Sequence, residues 1–347
     1  MTTHEFYMKR CIELAKNGLG TTYPNPLVGS VIVHDGKIIG EGWHKKAGEP
    51  HAEVNAVNSV KDKSLLKEAT IYVSLEPCSH FGKTPPCCDL IIANEIPNVV
   101  VGTVDPFAKV AGNGIKKLVE SGKNVTVGIL EDECNELNKR FFTFHQKKRP
   151  YIILKWAETA DGFIAPLSKE QKAPVWITNP YSRQLVHKWR TEEQAILVGT
   201  NTVLDDNPKL DARNFSGNNP IRIVLDKSGK ISKNYHVKDN SQKTIFITES
   251  ENFISTENCI YENAIFDIHL ISSICDILYK NEIQSVIIEG GSKTLQSFID
   301  ANLWDEARVF IGQTTFQNGT TAPNISGNPV ASFDIMNDEL KIFKNYD

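Results

Sequence analysis

Apolar residues in the first part of the chain change from a helical to a strand-like period. They recur at helical spacing over 7–15 and stop before Gly18, which predicts an amphipathic helix. Two apolar, β-branched runs, 28–33 and 37–40, then flank Asp35-Gly36, a pair that tolerates the positive φ of a tight turn. The pattern predicts a β-hairpin after the first helix.

Strand-like and helix-like segments alternate through the rest of the chain. In the first half we expect helices at 51–60, 88–94 and 115–121 and strands at 71–75, 99–104 and 125–127. In the second half we expect strands at 151–154, 195–198, 221–225, 244–248, 285–288 and 307–311, and helices at 180–190, 271–280 and 293–301. Such alternation predicts an α/β fold with helices packed on largely parallel sheets.

A charged segment, Gln146 to Pro150, ends in a residue that cannot continue a helix, and predicts a domain boundary. The length of 347 residues agrees with two domains at roughly 150 residues each. We therefore expect one domain at 1–147 and another at 149–347. The segments 214–219 and 228–240 are polar and predict loops, and 328–347 shows no pattern to which a role can be assigned.

Charge and composition exclude several classes. With 38 Lys and Arg against 42 Asp and Glu, the net charge is −4, which does not favour nucleic acid as a partner. No apolar run approaches the length of a membrane span, and charged residues interrupt the first twenty positions, so we expect a cytoplasmic protein without membrane contact. Seven scattered cysteines predict metal binding or burial rather than a disulfide framework.

The sharpest chemical signal combines Pro50-His51-Ala52-Glu53 with Glu76-Pro77-Cys78 and Pro86-Cys87. One imidazole and two thiolates leave one position of a tetrahedral zinc ion open, as a catalytic zinc requires. Glu53 is then free to move a proton between water and a leaving amine. Cys87 lies at a predicted helix start, where the backbone dipole favours a thiolate.

Each of these residues taken singly has an ordinary structural interpretation, as a buried histidine or cysteine of the core. Cys88 adjoins Cys87, so either thiol could be the ligand; we predict Cys87 and assign Cys88 to a helix face. The remaining cysteines and two histidines lack partners in the pattern and are interpreted as packing or surface residues: Cys11, Cys134, Cys259, Cys275, His34 and His145.

The run from Leu75 to Cys87, with Pro24-Asn25-Pro26-x-Val28-Gly29 and Gly42-Trp43-His44, resembles the deaminase half of the bifunctional deaminase/reductases of riboflavin biosynthesis. Nucleobase deaminases of the short Cys-x-x-Cys type have only two residues between the cysteines, against eight here. The resemblance implies a three-layer, cytidine-deaminase-like α/β/α domain that deaminates a diaminopyrimidinone ribosyl 5′-phosphate. It also implies roles for zinc ligands His51, Cys78 and Cys87, proton carrier Glu53, and substrate contacts Asn25, His44, His80 and Lys83.

Signals in the second half are weaker singly. A buried strand runs into Glu289-Gly290-Gly291-Ser292 before a helix, a turn that could approach a phosphate but is also a common plain connection. It is not the Gly-x-Gly-x-x-Gly fingerprint of dinucleotide-binding domains. Together with Lys155-Trp156-Ala157, Trp176-Ile177-Thr178 and the run from Val198 to Pro208, it resembles the reductase half of the same family.

That resemblance implies a dihydrofolate-reductase-like α/β domain that uses NADPH to reduce the ribosyl group to ribityl. The implied cofactor contacts are Ala157, Trp176, Thr202, Asp206, Gly291, Ser292, Lys293, Thr294, Leu295, Gln296 and Ser297. The implied substrate contacts are Lys155, Arg190, Leu210, Arg213 and Glu289. Arginine and lysine suit a sugar phosphate. The family further implies a homo-oligomer, with a dimer as the default.

One departure from the family pattern concerns the segment before Trp176, where Pro174 replaces a substrate-facing serine. It leaves open a deaminase with an inactive or accessory reductase half. Two further alternatives are a tRNA or free-base zinc deaminase with an unrelated second domain, and a non-catalytic zinc-containing binding module. The first of these predicts a short Cys-x-x-Cys and a basic surface, neither of which the sequence has; the retention of Glu53 argues against the second.

Overall fold

The computed structural model describes residues 2–81, 85–106, 112–168 and 175–346. The chain divides into two compact units, Met1–Lys147 and Lys148–Asp347. Within the described ranges, no helix combines the length and the apolar composition that a membrane span requires.

A five-stranded sheet forms the centre of the first unit, in the order β2-β1-β3-β4-β5. The strands are β1 Gly29–His34, β2 Lys37–Trp43, β3 Thr70–Leu75, β4 Asn98–Thr103 and β5 Asn124–Val127. β1 and β2 form the expected hairpin, β1 is antiparallel to β3, and β3, β4 and β5 are parallel. The carboxyl ends of β3 and β4 therefore meet at one edge of the sheet.

Helices cover both faces of this sheet. They are α1 Thr3–Ala15, α2 Ala52–Ser59, α3 Cys87–Ala93, α4 Asn113–Glu120, α5 Glu131–Leu137 and α6 Lys139–Lys147, with 3-10 turns at Lys16–Gly18 and Lys63–Glu68. Apolar residues of α2, α3 and α4 pack with one face of the sheet, and those of α1 and α5 pack with the other. The result is the expected three-layer α/β/α arrangement.

Close packing between β2 and α2 positions His51, the first of the candidate metal ligands. A Cβ at Gly42 would lie 2.4 Å from the backbone nitrogen of Ala56, so only glycine permits this approach. His51 is the residue that precedes α2, and Glu53 lies in its first turn. Helix α2 therefore brings both side chains to the edge where β3 ends.

The second unit contains a nine-stranded sheet in the order β11-β10-β9-β8-β12-β6-β13-β16-β15. Its strands are β6 Tyr151–Glu158, β8 Ala195–Gly199, β9 Ile221–Leu225, β10 Thr244–Thr248, β11 Cys259–Asn263, β12 Ser285–Ile288, β13 Glu306–Ile311, β15 Ala331–Ile335 and β16 Asp338–Lys344. The strands from β11 to β13 are parallel, whereas β16 and β15 are antiparallel additions. A separate pair joins β7 Phe163–Pro166 to β14 Gly319–Thr321.

The helices of this unit are α7 Pro180–Glu192, α8 Thr200–Asp206, α9 Leu270–Lys280 and α10 Ser292–Asp300, with a 3-10 turn at His236–Lys238. Helices α9 and α10 supply most of the helical side chains of one core cluster, and α7 supplies those of a cluster that contains Tyr151 and Phe310. Helix α7 begins as expected, because the Asn179 side chain accepts from two backbone amides just before Pro180.

Most predicted elements are found, but several short ones are not predicted. β9 and β10 have the predicted bounds, whereas α8, with only Val203 buried, shows no helical pattern. The segment 328–347, for which no role is predicted, contains β15 and β16, and residues 339–344 of β16 pair with β13. Most of its side chains are exposed or half-exposed, which explains why no apolar pattern marks it.

Candidate active sites

Three side chains from separate elements form a compact cluster in the first unit. His51 Nδ1 lies 3.6 Å from Cys78 Sγ and 3.4 Å from Cys87 Sγ, and the three ligand atoms all lie within 4.8 Å of one another. His51 precedes α2, Cys78 follows β3, and Cys87 begins α3. One imidazole and two thiols fit a tetrahedral zinc ion with one position left for water or substrate.

Cys87 is the first residue of α3, as predicted, and its thiol lies beside that of Cys78. The first backbone amide of α3, that of Cys87, points at Cys78 Sγ at 3.3 Å. A hydrogen bond from the Cys87 side chain and the neighbouring His51 lower the pKa of Cys78 to about 4 against the effect of burial. The same contact with Cys78, together with burial, raises the pKa of Cys87 well above its ordinary value. The predicted helix start at Cys87 is found, and its first backbone amide is directed at the paired thiol of Cys78.

Glu53 lies beside this cluster and is only 3% exposed. Burial, and secondarily the Cys78 thiolate, raise the pKa of its carboxyl group to about 6. The pKa of His51 is raised by its contact with Cys78. A carboxyl group with a pKa near neutrality can both accept and return a proton under physiological conditions.

Cys88 is directed away from the three ligand atoms. Its Sγ lies 3.3 Å from the Pro77 carbonyl oxygen and 3.5 Å from that of Gly114, and its side chain belongs to the core packed by α3. The geometry therefore groups Cys87 rather than Cys88 with His51 and Cys78.

Asn25 and His44 form a hydrogen-bonded network next to His51. Asn25 Nδ2 donates to His44 Nε2 at 3.0 Å, and His44 Nδ1 donates to the Pro50 carbonyl oxygen at 3.2 Å in the tautomer that satisfies both bonds. Burial lowers the pKa of His44, and its ring lies edge-on to that of His51. His44 therefore packs against the segment that carries His51, while Asn25 lies at the border of the site.

The remaining predicted contacts of this site lie in the segment between Cys78 and Cys87. His80 is exposed, and Lys83 lies outside the described residues. The lining of the site on this side therefore stays a prediction.

In the second unit, a buried carboxylate is surrounded by cations. Arg190 donates to Glu289 through two nitrogens, Nε to Oε1 at 3.0 Å and Nη2 to Oε2 at 2.7 Å. Burial alone would raise the pKa of Glu289, but Arg190 and Lys155 lower it to about 2. Burial lowers the pKa of Lys155, whose Nζ lies 5.9 Å from the Phe310 ring centroid.

The segment 210–213 lies against this pair. Arg190 Nη1 donates to the Asp211 carbonyl oxygen at 2.9 Å, and the Asp211 carboxylate pairs with Arg213, whose side chain is exposed. Leu210 is buried with a positive φ of 55°. The structure thus brings together Lys155, Arg190, Glu289 and the 210–213 segment, as the sequence analysis predicts for a substrate site.

The Gly290-Gly291 turn joins the carboxyl end of β12 to α10. A Cβ at Gly290 would lie 2.9 Å from Val198 Cβ and 3.0 Å from Thr202 Oγ1, and Gly291 has a φ of +63°. Because β8 and β12 are adjacent and parallel, their carboxyl ends form the crevice where α/β sheets bind nucleotides. Gly290 therefore packs closely on Val198, whereas a Cβ at Gly291 would have no neighbour nearer than 3.6 Å, which leaves room beside the start of α10 for a phosphate.

Other predicted cofactor contacts differ in exposure. Thr202 and Asp206 are half-buried on α8, and Ala157 is half-buried on β6. Trp176 is 56% exposed with the Arg183 guanidinium 4.7 Å from its ring centroid. The α10 residues comprise exposed Lys293 and Ser297, half-buried Ser292, Thr294 and Gln296, and Leu295, whose side chain lies in the core.

Two residues near the sites were not predicted from the sequence. Glu76, at the end of β3, accepts hydrogen bonds from four backbone amides. His187 Nδ1 contacts the Asp211 carbonyl oxygen at 3.0 Å, and burial together with Arg190 and Arg213 lowers its pKa. The one sequence signal for the contact between His187 and the Asp211 carbonyl oxygen is the spacing of three residues that puts His187 and Arg190 on the same face of α7.

Comparison with known families assigns both units. The cytidine and deoxycytidylate deaminase zinc-binding region matches residues 1–103, and the RibD C-terminal domain matches residues 150–329. The α/β fold class with a cytidine-deaminase-like first domain and a reductase second domain is therefore confirmed.

Similar proteins extend over nearly the whole chain. A riboflavin biosynthesis protein RibD from Aquifex aeolicus is 41% identical over 348 residues, which cover 97% of this chain and 93% of the relative. The protein of that name from Escherichia coli is 37% identical over 324 residues, covering 88% of this chain and 87% of the relative. A Thermotoga maritima crystal structure, described as a diaminohydroxyphosphoribosylaminopyrimidine deaminase/5-amino-6-(5-phosphoribosylamino)uracil reductase, has a TM-score of 0.89 at 40% identity, with 99% of this chain and 98% of that chain covered.

A zinc-binding deaminase domain joined to a reductase domain defines a bifunctional enzyme of riboflavin biosynthesis. The chain belongs to the RibD family of riboflavin biosynthesis proteins. The predicted bifunctional enzyme, with zinc and NADPH as its cofactors, is confirmed at the level of the family. The alternative of a zinc deaminase with an unrelated second domain is set aside by the match over 150–329.

Proposed function

We propose that the first unit removes an amino group from a diaminopyrimidinone ribosyl 5′-phosphate and that the second reduces the ribosyl group of the product with NADPH. The observation that carries the proposal is the cluster of His51, Cys78 and Cys87 beside buried Glu53. The activities named for the Thermotoga maritima structure, at 40% identity, support the same pair of reactions.

In the deamination, His51, Cys78 and Cys87 would hold zinc, which supplies a Lewis acid that lowers the pKa of water. Glu53 accepts a proton from the attacking water and returns it to the departing amino group. The ring carbon exchanges its bond to nitrogen for one to oxygen, and ammonia leaves. Burial of Glu53 favours this role, since its carboxyl pKa of about 6 suits transfer in both directions.

Substrate contacts in the first unit are proposed for Asn25, His44, His80 and Lys83. The position of Asn25 at the border of the cluster supports a direct contact, with His44 holding it in place through the 3.0 Å hydrogen bond. A cation on the segment between the two cysteines suits the phosphate of the sugar.

For the reduction, NADPH supplies the hydride. The protein residues orient the sugar, whose ring opens as the first carbon gains hydrogen and the ring oxygen gains a proton. Lys155, Arg190 and Glu289 form the buried polar floor, and Arg213 on the exposed side is placed to meet a phosphate. Leu210 would contribute an apolar contact.

The cofactor is proposed to lie along the crevice between β8 and β12. The cradle at Gly290-Gly291 would receive its pyrophosphate, and α10 would supply the polar groups that follow the turn. Thr202, whose Oγ1 lies close to both glycines, would contact it from α8.

We further propose a cytoplasmic homo-oligomer, with a dimer as the default arrangement for a soluble enzyme of this kind. All seven cysteines are free thiols, which suits a reducing compartment.

A coupled assay on the purified chain tests both reactions. Ammonia release from the diaminopyrimidinone ribosyl phosphate is followed together with NADPH oxidation, with and without a zinc chelator. We expect ammonia release to be lost on chelation, and NADPH oxidation to persist when deaminated substrate is supplied.

Different failures separate the two halves of the proposal. Ammonia release without NADPH oxidation would support the first site and reject the second. Ammonia release that survives complete zinc removal would reject the zinc mechanism, and loss of both activities in a folded, zinc-loaded protein would reject the proposed substrate.

A further inference from the structure

Glu76 is a buried carboxylate that the proposed reactions do not use. It is the first residue after β3, directly before Pro77 and the proposed zinc ligand Cys78, and it is 4% exposed. Carboxylates are almost never buried unless they have partners. The partners of Glu76 therefore indicate what the residue does.

Four backbone amides satisfy this carboxylate. Oε1 accepts from Gly114 at 2.8 Å and Ile115 at 3.3 Å, and Oε2 accepts from Gly112 at 2.9 Å and Asp105 at 3.3 Å. Three of these amides belong to the start of α4, where the first residue before the helix, Gly112, has no side chain with which to cap it. A negative charge at a helix N-terminus is favourable. Glu76 thus caps α4 from a distant strand and also fixes the end of β4 through Asp105.

The same contact continues to the zinc ligands through Pro77. A Cβ at Gly114 would lie 2.0 Å from the Pro77 carbonyl oxygen, so the start of α4 packs directly on the backbone between Glu76 and Cys78. On the other side, the Cys88 amide donates to the Cys78 carbonyl oxygen at 3.1 Å. The backbone of Cys78 is therefore held between α4 and α3.

We propose that Glu76 is a positioning residue of the deaminase site, which fixes the Cys78 backbone so that its Sγ stays in register with His51 and Cys87. This inference rests on the proposed zinc site. Residues that orient metal ligands through hydrogen bonds typically change metal affinity or activity by roughly 10–100-fold when replaced.

The test compares Glu76→Gln and Glu76→Asp with wild type in the full chain. The amide of Gln cannot accept at its nitrogen, so two backbone amides lose their acceptor, whereas Asp keeps the charge but is one methylene shorter. We expect zinc affinity, measured by competition with a chromogenic chelator, to fall by roughly ten-fold or more for Gln and by less for Asp. The thiolate-to-metal absorption bands of the cobalt-substituted protein should shift in the same order.

Asp62→Asn is the matched control, because Asp62 also caps a helix start, that of the 3-10 turn Lys63–Glu68. It should leave zinc affinity and the cobalt spectrum unchanged. Reductase activity and the circular dichroism spectrum of each variant report whether the chain is folded.

Unchanged zinc affinity and an unchanged cobalt spectrum in a folded Glu76→Gln variant would overturn the positioning role. A wild-type chain that binds neither zinc nor cobalt would instead reject the proposed zinc site itself. Should Glu76→Gln fail to fold, the Glu76→Asp spectrum decides, since a wild-type spectrum there also contradicts the inference.

Discussion

The deaminase site and the reductase site differ in how their chemistry is distributed. In the first, the proposed chemistry rests on three candidate ligand atoms within 4.8 Å of one another and on one buried carboxylate, and all four residues belong to short motifs. In the second, the proposed hydride donor is the cofactor, and the proposed substrate contacts come from β6, α7, the 210–213 segment and Glu289, which follows β12. When the reacting groups belong to the protein, the residues that reveal the function lie in a few short motifs. When a cofactor supplies the reacting group, the residues that reveal the function are scattered along the chain.

Replacing Glu53 by Gln tests the deaminase site and has the largest expected effect. The amide cannot accept the proton from water, so we expect ammonia release to fall by roughly 10²–10⁴-fold. NADPH oxidation with deaminated substrate should be unchanged. Both rates are measured on the same purified chain.

Glu49→Gln is the control for this variant, because it makes the same change at an exposed position on the other side of His51. A Glu53→Gln enzyme that releases ammonia at the rate of the control would remove Glu53 from the mechanism.

Replacing Glu289 by Gln tests the reductase site. It leaves Arg190 and Lys155 without their shared carboxylate, and breaking a buried ion pair typically costs about 3–5 kcal/mol. We expect the second unit to unfold at lower urea concentration and kcat/KM for NADPH oxidation to fall by at least roughly ten-fold, since the sugar loses its buried floor. Ammonia release should be retained.

The contribution of Glu289 to the stability of the second unit depends on pH. The pKa of Glu289 is lowered from 4.5 to about 2, so its stabilising effect is complete above about pH 4.5 and is lost as the pH falls toward 2. The stability difference between wild type and Glu289→Gln should shrink over that range. Glu339→Gln, which alters a more exposed ion pair with Lys341, should change stability by less than about 1 kcal/mol.

The cofactor turn is expected to respond more weakly. Gly291 has a φ of +63°, so Gly291→Ala forces an L-residue into a disfavoured conformation at a cost of about 1 kcal/mol. The methyl group would also enter the proposed phosphate cradle. We expect the Kd for NADPH, measured by fluorescence titration, to rise by roughly five-fold or more.

Gly36→Ala separates backbone strain from the cradle. Gly36 also has a positive φ, +70°, and open space around its Cβ position in the first hairpin, so Gly36→Ala places an L-residue at positive φ while the cofactor site is untouched. Equal NADPH affinity in the two variants would argue against a phosphate at Gly290-Gly291.

How much could be predicted follows from where each signal lies. β9 and β10 are buried apolar runs and were predicted to the residue, whereas β15 is an exposed edge strand without alternation. The candidate zinc ligands and Glu53 are side chains with specific chemistry in a recognisable spacing. The role of Glu76 could not be predicted, because its partners are backbone amides 29 to 39 residues away, and any sequence there has amides. Long-range contacts with the backbone leave no mark in a residue pattern.

Asn138 tests whether a contact with the backbone, which the motifs do not reveal, also contributes to the deaminase site. Its side chain is buried and holds both backbone groups of Leu27, accepting from the amide at 2.8 Å and donating to the carbonyl oxygen at 2.9 Å. Leu27 lies two residues after Asn25, so Asn138 anchors the segment that places Asn25 beside His44. Asn138→Asp removes the donor and places a carboxylate oxygen beside the buried Leu27 carbonyl oxygen, which costs roughly 1–3 kcal/mol or more of stability. Because the segment that carries Asn25 is then less well anchored, we expect KM for the deaminase substrate to rise by roughly two- to five-fold with kcat changed less. Asn124→Asp, at an exposed site of the same unit, is the control. A rise in KM confined to Asn138→Asp would show that backbone anchoring, invisible in the motifs, contributes to the site whose chemistry those motifs carry; equal values for both variants would confine substrate binding to the motif residues themselves.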